Sequence, residues 1–142
     1  MPNILVRLLD QPWFLVFARV VTTFVFWGAG LDKLINFKAG VAEMASVGLP
    51  APAVTNALVV VTLLTGSALV ISNRFTWLGT GMLAVFTALT IPLVHRFWAL
   101  PEPMATIAFH TAAEHVTTIG GLMILSILSR YTGGTGNGPR KA

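Results

Sequence analysis

Four long apolar runs occupy most of this chain and constrain its fold more than any other feature. They cover about residues 13–31, 55–72, 75–94 and 106–128. Each is close to the ~20 residues that a helix needs to cross a ~30 Å hydrocarbon core. Because the backbone must satisfy its own hydrogen bonds in lipid, runs of this length fold as helices. The sequence therefore predicts an all-α membrane protein, a bundle of four transmembrane helices.

The composition agrees with a lipid environment. Hydrophobic residues make up 55% of the 142 residues and charged residues only 10%, whereas soluble domains carry about 25% charged residues. The four spans leave room for a single domain, residues 1–131, followed by a Gly-rich tail at 132–142 that we expect to be flexible. The net charge of +4 forms no basic stripe, so we expect the bilayer and not nucleic acid as a partner.

The first two connections differ in length, which indicates different structures. The sequence "ISNRF" (71–75) leaves only a tight hairpin between the second and third runs. The segment 35–52 is longer and carries apolar residues at helical spacing. Gly48 before Leu49 and Pro50 is a typical helix stop, with glycine at a position of positive φ. We therefore predict a short interfacial helix between helices one and two.

Basic residues near the ends of the spans give an orientation. Five of them fall on the side of the N-terminus, the 71–75 hairpin and the C-terminus, and three fall on the other side. The five are Arg7, Arg74, Arg130, Arg140 and Lys141, and the three are Lys33, Lys38 and Arg96. Since cytoplasmic loops are enriched in Lys and Arg, both termini are expected in the cytoplasm.

Ionisable side chains interrupt the first and last apolar runs. Arg19 lies in the first run, and the sequence "FHTAAEHVTTIGG" (109–121) carries His110 and Glu114 on one helical stripe with Thr117. We expect this stripe to face the bundle interior, and Ala108, Ala112, Val116, Ile119 and Met123 to face lipid. At 1.5 Å per residue, Arg19 and Glu114 fall within about 10 Å of each other in depth, which predicts an ion pair.

Polar or small residues also share one face on each of the other runs, which predicts a polar interior. These sets are Arg19, Thr22, Thr23, Gly30 and Lys33 on the first run (with Phe26 on the same face), Thr55, Thr62 and Gly66 on the second, and Thr76, Thr80 and Thr87 on the third.

His115 departs from the stripe of its own helix. It lies about 140° from His110 around the helix axis, so it is expected to reach a neighbouring helix, a partner subunit or the lipid boundary. A lone imidazole in hydrocarbon leaves a polar nitrogen unsatisfied. We therefore expect a homo-oligomer or a larger membrane complex, with His115 or Thr118 at the contact.

Three interpretations of the ionisable residues remain open. In the first, Arg19 and Glu114 are a structural ion pair and the histidines have no chemical role. In the second, Arg19, His95, His110, Glu114 and His115 surround a small-molecule pocket, for example for a quinone head group, where imidazole and carboxylate exchange protons. In the third, weaker one, His95, His110 and Glu114 hold a metal ion.

Four segments resemble the DoxX family in sequence and order. They are "RVVTTFVFWGAGLDKLINF" (19–37), "MASVGLPAP" (44–52), "TGSALVISNRFTWLG" (65–79) and "IGGLMIL" (119–125). The chain departs from that family at Thr62, where an acidic residue is common, and at Glu114-His115, where Lys-Asn is frequent.

The resemblance implies a multi-pass protein of a bacterial inner membrane that is associated with redox systems. Relatives in that family include a subunit of a thiosulfate:quinone oxidoreductase. The expected function is therefore a subunit or accessory factor of a membrane redox system with a quinone-type pocket. The alternative is a structural or assembly subunit with no chemistry of its own.

Overall fold

The computed structural model describes residues 3–132, and its regular structure within that range is helical. Seven α-helices and one 3₁₀ turn follow in chain order. They are α1 (Asn3–Leu9), α2 (Pro12–Thr22), α3 (Phe24–Ile35), α4 (Phe37–Ser46), α5 (Pro52–Ile71), α6 (Thr76–Leu93), the 3₁₀ turn Phe97–Ala99 and α7 (Met104–Thr132). The tail predicted at 132–142 lies outside the described residues except for Thr132, with which α7 ends.

Three of these helices are each long and apolar enough to cross a membrane: α5, α6 and α7. Helices α2 and α3 pass the same test only as a pair, as one broken span or as a re-entrant loop, and they are bent by 56° at their junction. The predicted all-α membrane fold is confirmed, with three to four candidate spans within the described residues. The first apolar run, however, forms two helices with a bend between them, which the run itself did not reveal.

Two consecutive threonines and one tryptophan account for the bend. The Thr22 hydroxyl donates to the carbonyl of Ala18 at 2.8 Å, and the Thr23 hydroxyl donates to the carbonyl of Arg19 at 2.8 Å. Such back-bonding competes with the helical ladder and bends helices. The Trp27 indole N–H then donates to the carbonyl of Val20 at 3.1 Å, so this carbonyl keeps a partner at the break.

Glycines set the close approach of α5 and α6. A Cβ atom built on Gly79 would lie 2.7 Å from the carbonyl oxygen of Gly66 and 2.9 Å from Cβ of Leu69. The two backbones are therefore nearly in contact, as small residues allow between membrane helices. Around this contact the core is apolar, with Leu63, Val70, Leu83 and Leu122 almost fully buried.

The short helix predicted between the first two spans is α4, which packs against the start of α5. Gly40 lies against Asn56, since a Cβ on Gly40 would meet the Asn56 side-chain oxygen. An ion pair between Lys33 and Glu43 ties α3 to α4. The helix stop is also as predicted, because Gly48 has a φ of 75°.

The helix order gives the bundle two distinct ends. One end holds the hairpin between α5 and α6, the last turn of α7 and Arg19; we call it the Thr132 end. The other holds the start of α5, the end of α6 and the first half of α7; we call it the histidine end.

Candidate functional site

Two histidines meet at the histidine end. The ring centroids of His95 and His115 are 4.8 Å apart, and the ring planes stand at 78°. His95 follows the end of α6, where its backbone N–H donates to the carbonyl of Thr90 at 3.0 Å. His115 lies on α7, and both side chains are half-buried. Of the three contacts predicted for His115, the structure therefore shows the one with a neighbouring segment of the same chain.

Aromatic rings lie on the same two segments as this histidine pair, the 3₁₀ turn after His95 and the first half of α7. The centroids of Phe97 and Phe109 are 5.4 Å apart, and those of Phe97 and Trp98 are 4.9 Å apart, both edge to face. His110 lies beside Phe109 with a centroid distance of 5.8 Å and is exposed. The histidine end therefore carries both imidazole and aromatic rings, and His110 lies outside the His95–His115 pair.

The polar stripe of α7 faces outward, contrary to the prediction. His110, Glu114 and Thr117 are exposed. Of the residues assigned to lipid, Ala108 and Ala112 are buried at 7% and 6% exposure, whereas Val116 and Met123 are exposed as predicted. The prediction was wrong because α7 has apolar residues on every side, so periodicity fixes its rotation weakly. The packing of α7 against α6 and the 3₁₀ turn determines its rotation instead.

Arg19 lies at the other end of the bundle from Glu114, so the predicted ion pair is wrong. Arg19 is buried at 3% exposure, and its Nη2 donates to Oγ1 of Thr132 at 3.2 Å. Glu114 precedes Thr132 on α7, and the two residues are separated by about 27 Å along the helix at 1.5 Å per residue. The depth estimate failed because α2 ends at the bend and α7 continues to Thr132.

The position of Arg19 explains how its charge is tolerated. The C-terminal end of a helix carries a partial negative charge that stabilises a nearby cation. Arg19 meets α7 at its last residue and so lies at that end. Within residues 3–132 its Nε has no hydrogen-bond partner. Arg19 therefore anchors the end of α7 and is separate from the histidine pair.

The metal alternative is not supported by the geometry. Among the described residues, no group of three His, Cys, Asp or Glu side chains is close enough to hold a metal ion. His95 contacts His115 instead, while His110 and Glu114 are exposed on α7. The set of His95, His110 and Glu114 is therefore not brought together.

Most of the polar interior is satisfied within single helices. Thr23, Thr80 and Thr87 are buried, as their predicted faces required, and each hydroxyl donates to a carbonyl one turn earlier. Two further buried polar groups, Asn56 and Ser67, were not predicted, and their side-chain oxygens have no partner within residues 3–132. Both are short polar residues in an apolar run, which was the available signal.

Comparison with known proteins assigns the family. The DoxX family model matches residues 14–96, which is more than half of the chain. "Inner membrane protein YphA" of Escherichia coli (strain K12) is 24% identical over 117 residues, covering 82% of this chain and 84% of that protein. No solved structure matches the chain. With its helical membrane fold and this match, the chain belongs to the DoxX family.

Proposed function

We propose that this protein is a subunit of an inner-membrane redox system that binds the head group of a quinone at the histidine pair. The observation that carries the proposal is the contact of His95 with His115, 4.8 Å between ring centroids, on the same two segments that bring Phe97 and Phe109 together. Binding sites for small molecules are mostly apolar and aromatic, with a few polar groups that fix orientation. The name of the Escherichia coli relative supports the inner membrane as the location.

The chemistry of a quinone suits these side chains. Its two carbonyl oxygens accept hydrogen bonds, and a neutral imidazole supplies one N–H donor and one acceptor nitrogen. Its flat ring packs against aromatic rings such as Phe97 and Phe109. Reduction to the quinol takes up two electrons and two protons. We assign the electrons to a partner protein and the proton exchange to His95 and His115, since an imidazole nitrogen can both donate and accept a proton.

A photoreactive quinone analogue tests the proposal in membranes that contain the full-length chain. We expect labelling of peptides from the 95–99 segment and α7, and competition by unlabelled quinone. His95→Leu and His115→Leu should each weaken binding by about twofold to tenfold, the range for one hydrogen bond of about 0.5–1.5 kcal/mol. His110→Leu is the matched control, because it removes an exposed imidazole from the same helix. Equal labelling of all three variants would contradict the proposal.

The outward polar face of α7 favours a second function, assembly of a membrane complex. Glu114 and Thr117 are exposed on a candidate membrane-spanning helix. Ionisable groups on such helices usually face protein or water and not lipid. We infer that a second copy or another subunit covers this face.

Cysteine cross-linking tests the inferred contact, since the chain has no cysteine of its own. Thr117→Cys should form a disulfide-linked dimer in membranes if a second copy covers the face. Val116→Cys is the control, because that side chain is 62% exposed on a different side of α7. A dimer from both variants, or from neither, would argue against a symmetric pair through this face.

The orientation of the protein is part of the same proposal. We infer that both termini lie in the cytoplasm, because the Thr132 end carries Arg7, Arg74 and Arg130. A reporter fused after Ala142 should be active in the cytoplasm, and a tag inserted after Lys38 should be accessible from the other side. The reverse pattern would overturn this orientation.

A further inference from the structure

Two open grooves run along α6 and meet at Gly81. The first, of about 170 Å³, lies between α6 and α7 and is lined by Trp77, Thr80, Gly81, Ala84, Leu122, Met123 and Ser126. The second, of about 460 Å³, lies on the other side of α6 and is lined by Thr62, Gly81, Met82, Val85, Phe86 and Leu89. We call them the α6–α7 groove and the α5–α6 groove.

Gly81 is the low point of the ridge that separates the grooves. It is exposed, and a Cβ atom built on it would have no atom within 4 Å. Gly79, two residues earlier and on the opposite side of α6, is buried against α5. The bare backbone at Gly81 therefore leaves space on the outer surface of the bundle and has no packing role inside it.

Two arginines lie just beyond the α6–α7 groove at the Thr132 end. Arg74 precedes Trp77 by three residues, and Arg130 follows Ser126 by four, which places it on the same side of α7 as that groove residue. Both arginines are exposed, and within residues 3–132 neither forms an ion pair. The N-terminus of α6, with its positive dipole end, lies next to Arg74.

We propose that this surface binds one anionic phospholipid. Its two acyl chains lie in the two grooves on either side of Gly81, and its phosphate contacts Arg74 and Arg130. Basic sites between membrane helices bind anionic head groups, so the charge at the groove mouth selects the lipid. Two grooves that meet under one basic site match a molecule with two chains and one phosphate, whereas a quinone has one tail and no charge. Trp77, 66% exposed at the groove mouth, fits the head-group level where tryptophan is enriched.

Lipid titration of the purified full-length chain, followed by native mass spectrometry, tests the site. We expect phosphatidylglycerol to bind about tenfold more tightly than phosphatidylethanolamine, as charge-assisted contacts to two arginines require. Gly81→Leu fills the meeting point of the grooves and should weaken phosphatidylglycerol binding by about tenfold. Gly28→Leu is the matched control, since it also places a side chain where no atom lies within 4 Å, but on α3.

The arginines are tested by the double variant Arg74→Gln, Arg130→Gln. It should abolish the preference for phosphatidylglycerol while phosphatidylethanolamine still binds. A single-chain lysophosphatidylglycerol should bind more weakly than the two-chain lipid. The proposal is overturned if the two head groups bind equally to the parent, if Gly81→Leu behaves like Gly28→Leu, or if the double variant keeps the preference.

Discussion

Replacing Gly79 by alanine is the sharpest test of how α5 and α6 pack. The new Cβ would lie 2.7 Å from the Gly66 carbonyl oxygen, and ordinary contact begins at 3.4 Å, so the helices must separate by about 0.7 Å. Both nearest atoms belong to backbone or to a Cβ, which cannot rotate away. A gap of about 0.5–1 Å forfeits roughly a quarter to a half of the dispersion attraction across it. We expect Gly79→Ala to lower the free energy of unfolding by about 1–3 kcal/mol, as overpacking does.

Gly81→Ala is the matched control, two residues along the same helix. Its Cβ would meet no atom within 4 Å, so the change should be neutral or stabilise by up to about 1 kcal/mol through helix propensity. The four tryptophans report thermal unfolding in detergent by intrinsic fluorescence. We expect the Gly79→Ala midpoint to fall clearly below that of Gly81→Ala. Equal midpoints would refute the inferred close approach of the two backbones.

Three further predictions concern other contacts. Arg19→Gln should destabilise the protein by about 1–3 kcal/mol because it removes the contact that anchors the end of α7. Adding Glu114→Gln to this variant should not recover the lost stability. Full recovery in the double variant would show that Arg19 and Glu114 do form an ion pair. Gly40→Ala should lower the free energy of unfolding by about 1–3 kcal/mol by overpacking against Asn56. Combining it with Asn56→Ala should recover part of that loss in the same fluorescence assay. If the effects of the two substitutions simply add, the contact between Gly40 and Asn56 is contradicted. Trp27→Phe should cost about 1 kcal/mol, since it removes the N–H donor at the bend, and an unchanged midpoint would show that the donor is dispensable.

The candidate site shows where sequence reasoning succeeded and where it failed. The ionisable residues in the apolar runs stand out because hydrocarbon penalises them, so His110, Glu114, His115 and Arg19 could be singled out without a structure. Their partners could not be predicted in the same way. Arg19 was matched to Glu114 by charge and depth, but it contacts the hydroxyl of Thr132.

The sequence by itself determined the class of fold. A chain in lipid must satisfy its backbone internally, so four runs of nearly twenty apolar residues leave a helical bundle as the solution. The local sequence Gly48-Leu49-Pro50 also predicted the end of the short helix α4, because the φ of 75° at Gly48 depends only on the few residues around it.

Only the tertiary structure decided how the helices rotate and bend. Every side of α7 is apolar enough to pack, so its contacts with α6 and the 3₁₀ turn determine that Ala112 is buried and Glu114 exposed. The 56° bend carries local hydrogen bonds from Thr23 and Trp27, but Thr80 and Thr87 make the same bond to a carbonyl four residues earlier inside the continuous helix α6, so threonines in the sequence did not reveal the break. The contact of His95 with His115 has the same origin, since it joins residues of two segments whose register is set by packing across the whole length of α6 and α7.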